Sequence, residues 1–174
     1  MPFALFPTAF GTCGIAWDGG ALTGFQLPGP TEALTRERLA PGGGAGLAEA
    51  EAPEWVRAIA ARVRRHFERD LQDFTGLALD WSLVSDFQRA VYLQTQAIRP
   101  GFKKSYGEVA RAIALGPESA RAVGVALATN PWPLLVPCHR VVSADDKMTG
   151  FSAPGGVLTK TRLLALEGAE LLSE

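Results

Sequence analysis

Ser105-Tyr106-Gly107-Glu108-Val109-Ala110-Arg111-Ala112-Ile113-Ala114-Leu115-Gly116-Pro117-Glu118-Ser119-Ala120-Arg121-Ala122-Val123-Gly124-Val125-Ala126-Leu127-Ala128 decides the architecture of the second half of this chain. Ser105 followed three residues later by Glu108 is a capping box, in which the serine accepts from the third helical N–H and the glutamate returns to the serine's own N–H. A short helix through Val109, Ala110 and Ile113 follows. It stops at Leu115-Gly116-Pro117, where glycine closes one helix and proline suits the first turn of the next, Glu118 to about Ala128. Two short helices with a tight glycine turn make a helix-turn-helix. With Ala120, Val123 and Leu127 in the core, Arg121, Gly124, Val125 and Ala128 point outward, one long cation among small groups. Gly124 in a helix interior costs about 1 kcal/mol relative to alanine, which close approach to a partner would explain. That partner is either another helix or a nucleic-acid groove, entered without the Asn, Gln or clustered Arg that read base edges.

Downstream, Asn130-Pro131-Trp132-Pro133 ends the helix, because a residue before proline is pushed out of helical conformation. The chain continues Leu134-Leu135-Val136-Pro137-Cys138-His139-Arg140-Val141-Val142. A cysteine between apolar runs is commonly an inert buried residue; an adjacent histidine adds the alternative of an activated thiol. On extended backbone Cys138 and His139 face opposite ways, so they pair only through a turn or a bridging water. In the last helix Leu163, Leu164 and Glu167 share a face, so a core stripe ends in a carboxylate. Glu167 is either solvated at the margin or buried with a partner, and buried it would complete a nucleophile, base and orienting acid with Cys138 and His139.

Working toward the N-terminus, Phe87, Val91 and Ile98 mark a further helix that stops at Arg99-Pro100-Gly101, and a domain boundary is expected just before it, giving domains 1–84 and 85–174. In the first of these, Phe3 to Phe10, Gly14 to Asp18 and Ala21 to Leu27 read as short strands joined by glycine turns. Pro41 to Gly46 is expected to be a loop without regular structure. From Pro53, Val56, Ile59, Ala60, Val63 and Phe67 recur at helical spacing, while Arg57, Arg62, Arg64, Arg65 and Arg69 fall largely elsewhere, as a solvated face or a phosphate track. The expected fold is thus an α/β N-terminal domain, a small sheet plus helices, followed by a mostly α-helical C-terminal domain with a winged-helix-like helix-turn-helix.

Composition narrows the function classes. At 174 residues, 47% hydrophobic and 20% charged, the chain can bury a core, and a formal charge of −1 carries no basic signature. Residues 1–85 carry −3 and residues 86–174 carry +2, too mild an asymmetry to argue nucleic-acid binding alone. No membrane span or secretory leader is read from the chain, so a cytoplasmic protein is expected. The two cysteines, Cys13 and Cys138, are far apart and belong to no Cys-x-x-Cys array, which argues against a disulfide framework or a cysteine-rich zinc site. No oligomerisation stripe is evident, and a monomer is expected.

Ser105-Tyr106-Gly107, Ala120-Arg121-Ala122-Val123-Gly124, Asn130-Pro131, Pro137-Cys138-His139-Arg140-Val141, and Gly155-Gly156 with Lys160, Leu163, Leu164 and Glu167-Gly168 resemble, in order and approximate spacing, the O6-alkylguanine-DNA alkyltransferases. The resemblance covers about residues 85–170 and extends only loosely to the N-terminal part. It implies a protein that binds double-stranded DNA through the minor groove, extrudes an O6-alkylguanine and moves the alkyl group onto Cys138, with no metal or other cofactor. It implies Cys138 as acceptor thiolate, His139 and Glu167 as activating pair, and Asn130 pinning the turn. Arg121 would insert into the duplex and Tyr106 displace a flanking phosphate, with Ser105, Ala122 and Gly124 on the same DNA-binding surface. The substrate pocket would comprise Pro137, Val141, Phe151 and Ser152, with backbone carbonyls near Cys138 and Val141 accepting from the guanine amine. Phe151 stands where many relatives carry Tyr, and Ala153-Pro154 lengthens the loop, so adduct preference is left open. Two rival functions are a non-catalytic alkylated-DNA-binding or regulatory protein and a cysteine hydrolase with turnover; the first class carries tryptophan at the acceptor position, and the second leaves the helix-turn-helix unexplained.

Overall fold

The computed structural model describes residues 1–145 and 153–169 and divides into two compact units, residues 1–72 with 76–80, and residues 73–75 with 81 onward. Asp80, at the end of the first unit, donates its N–H to the Leu22 carbonyl in that unit's sheet, at 2.9 Å.

In the first unit β1 (Pro2–Thr8), β2 (Gly11–Asp18) and β3 (Ala21–Gln26) form an antiparallel meander, and β4 (Ala45–Leu47) adds in parallel beside β1, in the order β3-β2-β1-β4. Ala45 and Gly46, expected in an irregular loop, are therefore in a strand. Their register is supplied by Pro2 and Phe3 rather than by any preference of their own. Helix α1 (Glu32–Leu39), capped by Thr31, is a polar helix that periodicity did not reveal. Helix α2 (Glu54–Phe67) follows Pro53 and buries Val56, Ile59, Ala60, Val63 and Phe67, as its spacing predicts. Its arginines are engaged inside the unit: Arg64 binds both carboxylate oxygens of Glu49 and the Pro7 carbonyl, and Arg62 and Arg65 reach Gln72.

In the second unit α3 (Asp86–Gln96) is capped by Ser85 in a capping box with Gln88 and buries Val91, Tyr92 and Thr95. The expected Ser105–Glu108 capping box starts α4 (Tyr106–Ala112), with Ser105 Oγ 3.0 Å from the Glu108 N–H. The turn differs from the sequence reading. The left-handed residue is Ala114, φ 62°, not Gly116, and Leu115 donates to the Ala110 carbonyl at 3.0 Å. Pro117–Ser119 then forms a short 3-10 turn, and α5 runs Ala120–Ala128. Ahead of α4, β5 (Lys104–Ser105) pairs in parallel with β6 (Val141–Val142), and among the described residues this two-residue ladder is the strand pairing beside the helix-turn-helix. The last described helix is α6 (Gly156–Leu166). No helix among the described residues is long and apolar enough to cross a membrane.

Candidate active site

Cys138 opens a 3-10 turn, Cys138–Arg140, closed by the Val141 N–H donating to the Cys138 carbonyl. The turn resolves the geometric problem posed by adjacent residues, because it carries the side chains of Cys138, His139 and Arg140 all into buried positions. Upstream, Asn130 fixes the approach to it. Its Nδ2 donates to the Val136 carbonyl at 2.9 Å, and its Oδ1 accepts from the Trp132 N–H at 2.9 Å. Between those two bonds Leu134 adopts φ 76°, a conformation that costs a non-glycine residue about 1–2 kcal/mol. Complete burial of its side chain offsets that cost.

Glu167 comes from α6. The helix closes with a Schellman motif in which the Ala169 N–H reaches the Leu164 carbonyl and Gly168 takes φ 76°, a position glycine fills without strain. Glu167 is thereby the C-cap of a helix whose Leu163 and Leu164 are fully buried, and it is itself 4% exposed. Its Oε1 lies 2.8 Å from His139 Nε2 and 2.9 Å from Arg140 Nε, and its Oε2 lies 2.6 Å from Arg140 Nη2. Arg140 Nη1 also donates to the Ile98 carbonyl at 2.7 Å. An ionised carboxylate can only accept, so His139 carries a hydrogen on Nε2, and in its neutral form presents Nδ1 as the acceptor nitrogen.

At the start of α6, Gly155 has φ 86°, and a Cβ there would lie 2.2 Å from Thr159 Oγ1, so the position is closed to other residues. One turn on, Lys160 is fully buried and donates from Nζ to the Val141 carbonyl at 2.8 Å, with Nζ 5.8 Å from the centre of the Tyr106 ring. Burial pushes the Cys138 thiol above its usual range. The Asn130 side chain, the Lys160 charge and the backbone N–H groups of Cys138 and His139 pull it back.

The family description 6-O-methylguanine DNA methyltransferase, DNA binding domain, matches residues 86–169. A Methylated-DNA--protein-cysteine methyltransferase of Mycolicibacterium paratuberculosis is 44% identical over 114 residues, 64% of this chain and 66% of that one. A DNA base-flipping protein of Thermus thermophilus is 39% identical over 121 residues, 67% of this chain and 79% of that one. A Methylated-DNA--protein-cysteine methyltransferase of Mycobacterium leprae is 33% identical over 160 residues, 91% of this chain and 87% of that one. The chain belongs to the 6-O-methylguanine DNA methyltransferase family. Among solved structures, that of Mycobacterium tuberculosis OGT in complex with DNA matches with a TM-score of 0.77 at 28% identity, covering 97% of this chain and 93% of that one.

Of the residues singled out from the sequence, Asn130, Pro137, Cys138, His139, Val141 and Glu167 lie together in this family member, and Tyr106 joins them through Lys160. Arg121 and Ala122 are exposed on α5 and line a shallow apolar groove with Phe87, Gln88, Val125 and Thr129. Two residues of that helix depart from the expected faces: Ala120, expected in the core, is only half-buried, and Gly124 is the other. Expected to face outward, it is half-buried, and a Cβ there would meet the Tyr106 ring at 3.8 Å. Ser105 serves as a helix cap. Phe151 and Ser152 lie outside the described residues. Sequence reasoning assigned no role to Arg140 or Lys160. A signal for the latter was present: Lys160, Leu163, Leu164 and Glu167 fall at i, i+3, i+4 and i+7, so the buried stripe begins as well as ends in a charge.

Proposed function

We propose that this protein repairs duplex DNA by taking the alkyl group of an extruded O6-alkylguanine, mainly O6-methylguanine, onto Cys138, irreversibly and once. The observation that carries this reading is a free cysteine at the head of the Pro137–Arg140 turn, beside a buried histidine whose Nε2 is held by Glu167. The Cys138 thiolate attacks the saturated carbon and forms a C–S bond. The C–O6 bond breaks with its electron pair left on guanine, which takes up the proton that the thiol released toward His139 Nδ1, directly or through water. No tetrahedral intermediate forms, so no oxyanion hole is required. The resulting thioether has no leaving group comparable to guanine, and the reaction ends there.

The DNA-facing half of the reading places Arg121, Ala122 and Gly124 of α5 with Ser105 and Tyr106 of α4 in the minor groove, Arg121 filling the space of the extruded base. The base lies against Pro137, Val141, Phe151 and Ser152. The protein acts as a monomer and without a cofactor. A relative named a DNA base-flipping protein prompts a second reading, in which this chain flips and binds the alkylated base without taking its alkyl group. One experiment separates the two. Incubation with excess duplex containing O6-methylguanine gives a burst equal to the active protein, with the methyl group recovered on the Cys138 peptide by mass spectrometry. Binding with Cys138 unmodified establishes the second reading, and turnover beyond one equivalent overturns both.

A further inference from the structure

The segment Arg99-Pro100-Gly101-Phe102-Lys103-Lys104 carries three cations and no acid in a chain whose formal charge is −1, and the chemistry proposed for Cys138 uses none of it. Its backbone is fixed from both sides. The Phe102 N–H closes onto the Arg99 carbonyl at 3.1 Å, with Pro100 second and Gly101 third at φ 89°, the arrangement of a type II turn. Arg140 Nη1 holds the Ile98 carbonyl just before the turn, and a Cβ on Gly101 would come within 3.2 Å of the Glu167 carbonyl. After the turn, Lys104 and Ser105 pair with Val141 and Val142. On this support Phe102 stands 65% exposed, beside the half-buried Lys103 and Lys104. These three residues, with Ser105, Ser143 and Ala144, line a groove of about 590 Å³. Glu108 lines it too, but its Oε1 is folded back onto the Ser105 N–H at 3.3 Å, and the neighbouring Asp145 accepts from the Ser143 hydroxyl at 2.6 Å.

We infer that this groove takes the sugar-phosphate backbone of duplex DNA beyond Tyr106, with Lys103 and Lys104 on phosphates and the Phe102 ring against deoxyribose. This rests on the reading of α4 and α5 as the DNA-facing helices, in which Tyr106 meets a flanking phosphate. Continuity with that contact selects the occupant. Lys104 lies two residues before Tyr106, at most about 7 Å of extended chain, and the phosphates of one strand advance about 3.4 Å per step along the duplex axis. Lys104 and Tyr106 are thus spaced to meet phosphates within about two steps of each other. Lysine serves phosphate as a point charge, and an aromatic ring covers the apolar edge of a sugar at the same time. Contacts of this kind carry no sequence information but fix the register of the duplex, which suits a protein that must meet its lesion in any sequence.

The test uses Cys138→Ala protein, so that a duplex carrying O6-methylguanine is held and not consumed, and compares it with the same protein bearing Lys103→Gln and Lys104→Gln. Affinity is read by fluorescence anisotropy across a range of salt concentrations. Each lost phosphate contact takes about 0.9 from the slope of log K against log salt, so the glutamine pair should bind with a slope shallower by about 1.8 and roughly 60-fold more weakly at about 0.1 M salt. Lys103→Arg with Lys104→Arg keeps both charges and should keep the slope. Phe102→Ala should weaken binding by a similar factor at every salt concentration, because an apolar contact releases no counterions. A slope unchanged in the glutamine pair, an equal loss in the arginine pair, or no effect of Phe102→Ala overturns the inference. Should the glutamine pair not fold, the Cys138→Ala protein itself decides: duplex must protect Lys103 and Lys104 from acetylation by an N-hydroxysuccinimide ester, read by peptide mass, and reactivity that duplex leaves unchanged overturns it. If the Cys138→Ala protein binds no duplex at all, the repair reading itself falls, and this inference with it.

Discussion

Replacing Glu167 by glutamine keeps the shape of the side chain and makes one of its two oxygens an NH2 group. If that group takes the Oε1 position, it faces both His139 Nε2 and Arg140 Nε; if it takes the Oε2 position, it faces Arg140 Nη2. Either way at least one donor meets a donor, and the Arg140 guanidinium stays buried without its counter-charge. Breaking a buried pair from one side costs about 3–5 kcal/mol, far more than the few tenths of a surface substitution. With a urea slope of about 2 kcal/mol per molar for a unit of this size, the unfolding midpoint should fall by roughly 1.5–2.5 M. Fluorescence in a Trp17→Phe, Trp55→Phe background reports on Trp81 and Trp132, both in the second unit. Adding Arg140→Met to Glu167→Gln removes the orphaned charge and should recover at least about 2 kcal/mol. A loss below about 1 kcal/mol in the single variant, or strict additivity in the double, would refute the assignment of Arg140 and Glu167 as one buried unit.

Cys138→Ala should abolish alkyl transfer while retaining affinity for alkylated duplex, measured by fluorescence anisotropy; equal loss of both in a folded variant contradicts the division between acceptor and groove contacts. Arg121→Ala should slow repair of duplex substrate by an amount equivalent to a few kcal/mol, yet leave reaction with the free O6-alkylguanine base nearly unchanged. Equal slowing on both substrates would place Arg121 in the chemistry. Methylated protein should be about 1–3 kcal/mol less stable than the free form, because the added carbon overfills the site between Asn130 and Pro137, and a calorimetric scan showing equal or greater stability counts against this. Burial pushes the Cys13 thiol up to about 12 from an ordinary 9.0, so the folded state holds that proton more tightly than the unfolded chain. Its contribution is therefore full below pH 9 and declines as pH rises toward 12. By pH 10 about 1.4 kcal/mol should be lost relative to pH 8, and Cys13→Ala should flatten that decline.

Much of the second unit was legible because its signals are local. The Ser105–Glu108 box, the Asn130-Pro131 stop and the stripe ending in Glu167 each act within one or two helical turns. What escaped depends on partners remote in sequence. Arg140 becomes a structural charge only when α6 delivers Glu167, and Lys160 only when the Val141 carbonyl turns toward it. Helix α1 is too polar to show an apolar stripe, and β4 takes its strand conformation from pairing with β1. Gly116 marks the helix end in the sequence, yet the left-handed residue is Ala114, because glycine preference says which residue finds that conformation easiest, not where the chain requires it.

The ladder between Lys104-Ser105 and Val141-Val142 is short enough to behave as a fuse. Two residue pairs contribute only about 1–2 kcal/mol of net hydrogen bonding, the same size as the crowding that an alkyl group on Cys138 would bring to the turn ending at Val141. Displacing Val141 and Val142 would let go of Ser105, and Ser105 is the cap that holds the first turn of α4. Tyr106 stands on that turn. A modification at the sulfur would thus reach α4, the helix that the proposed function sets against DNA, through the backbone, by fraying a helix end rather than by moving a domain.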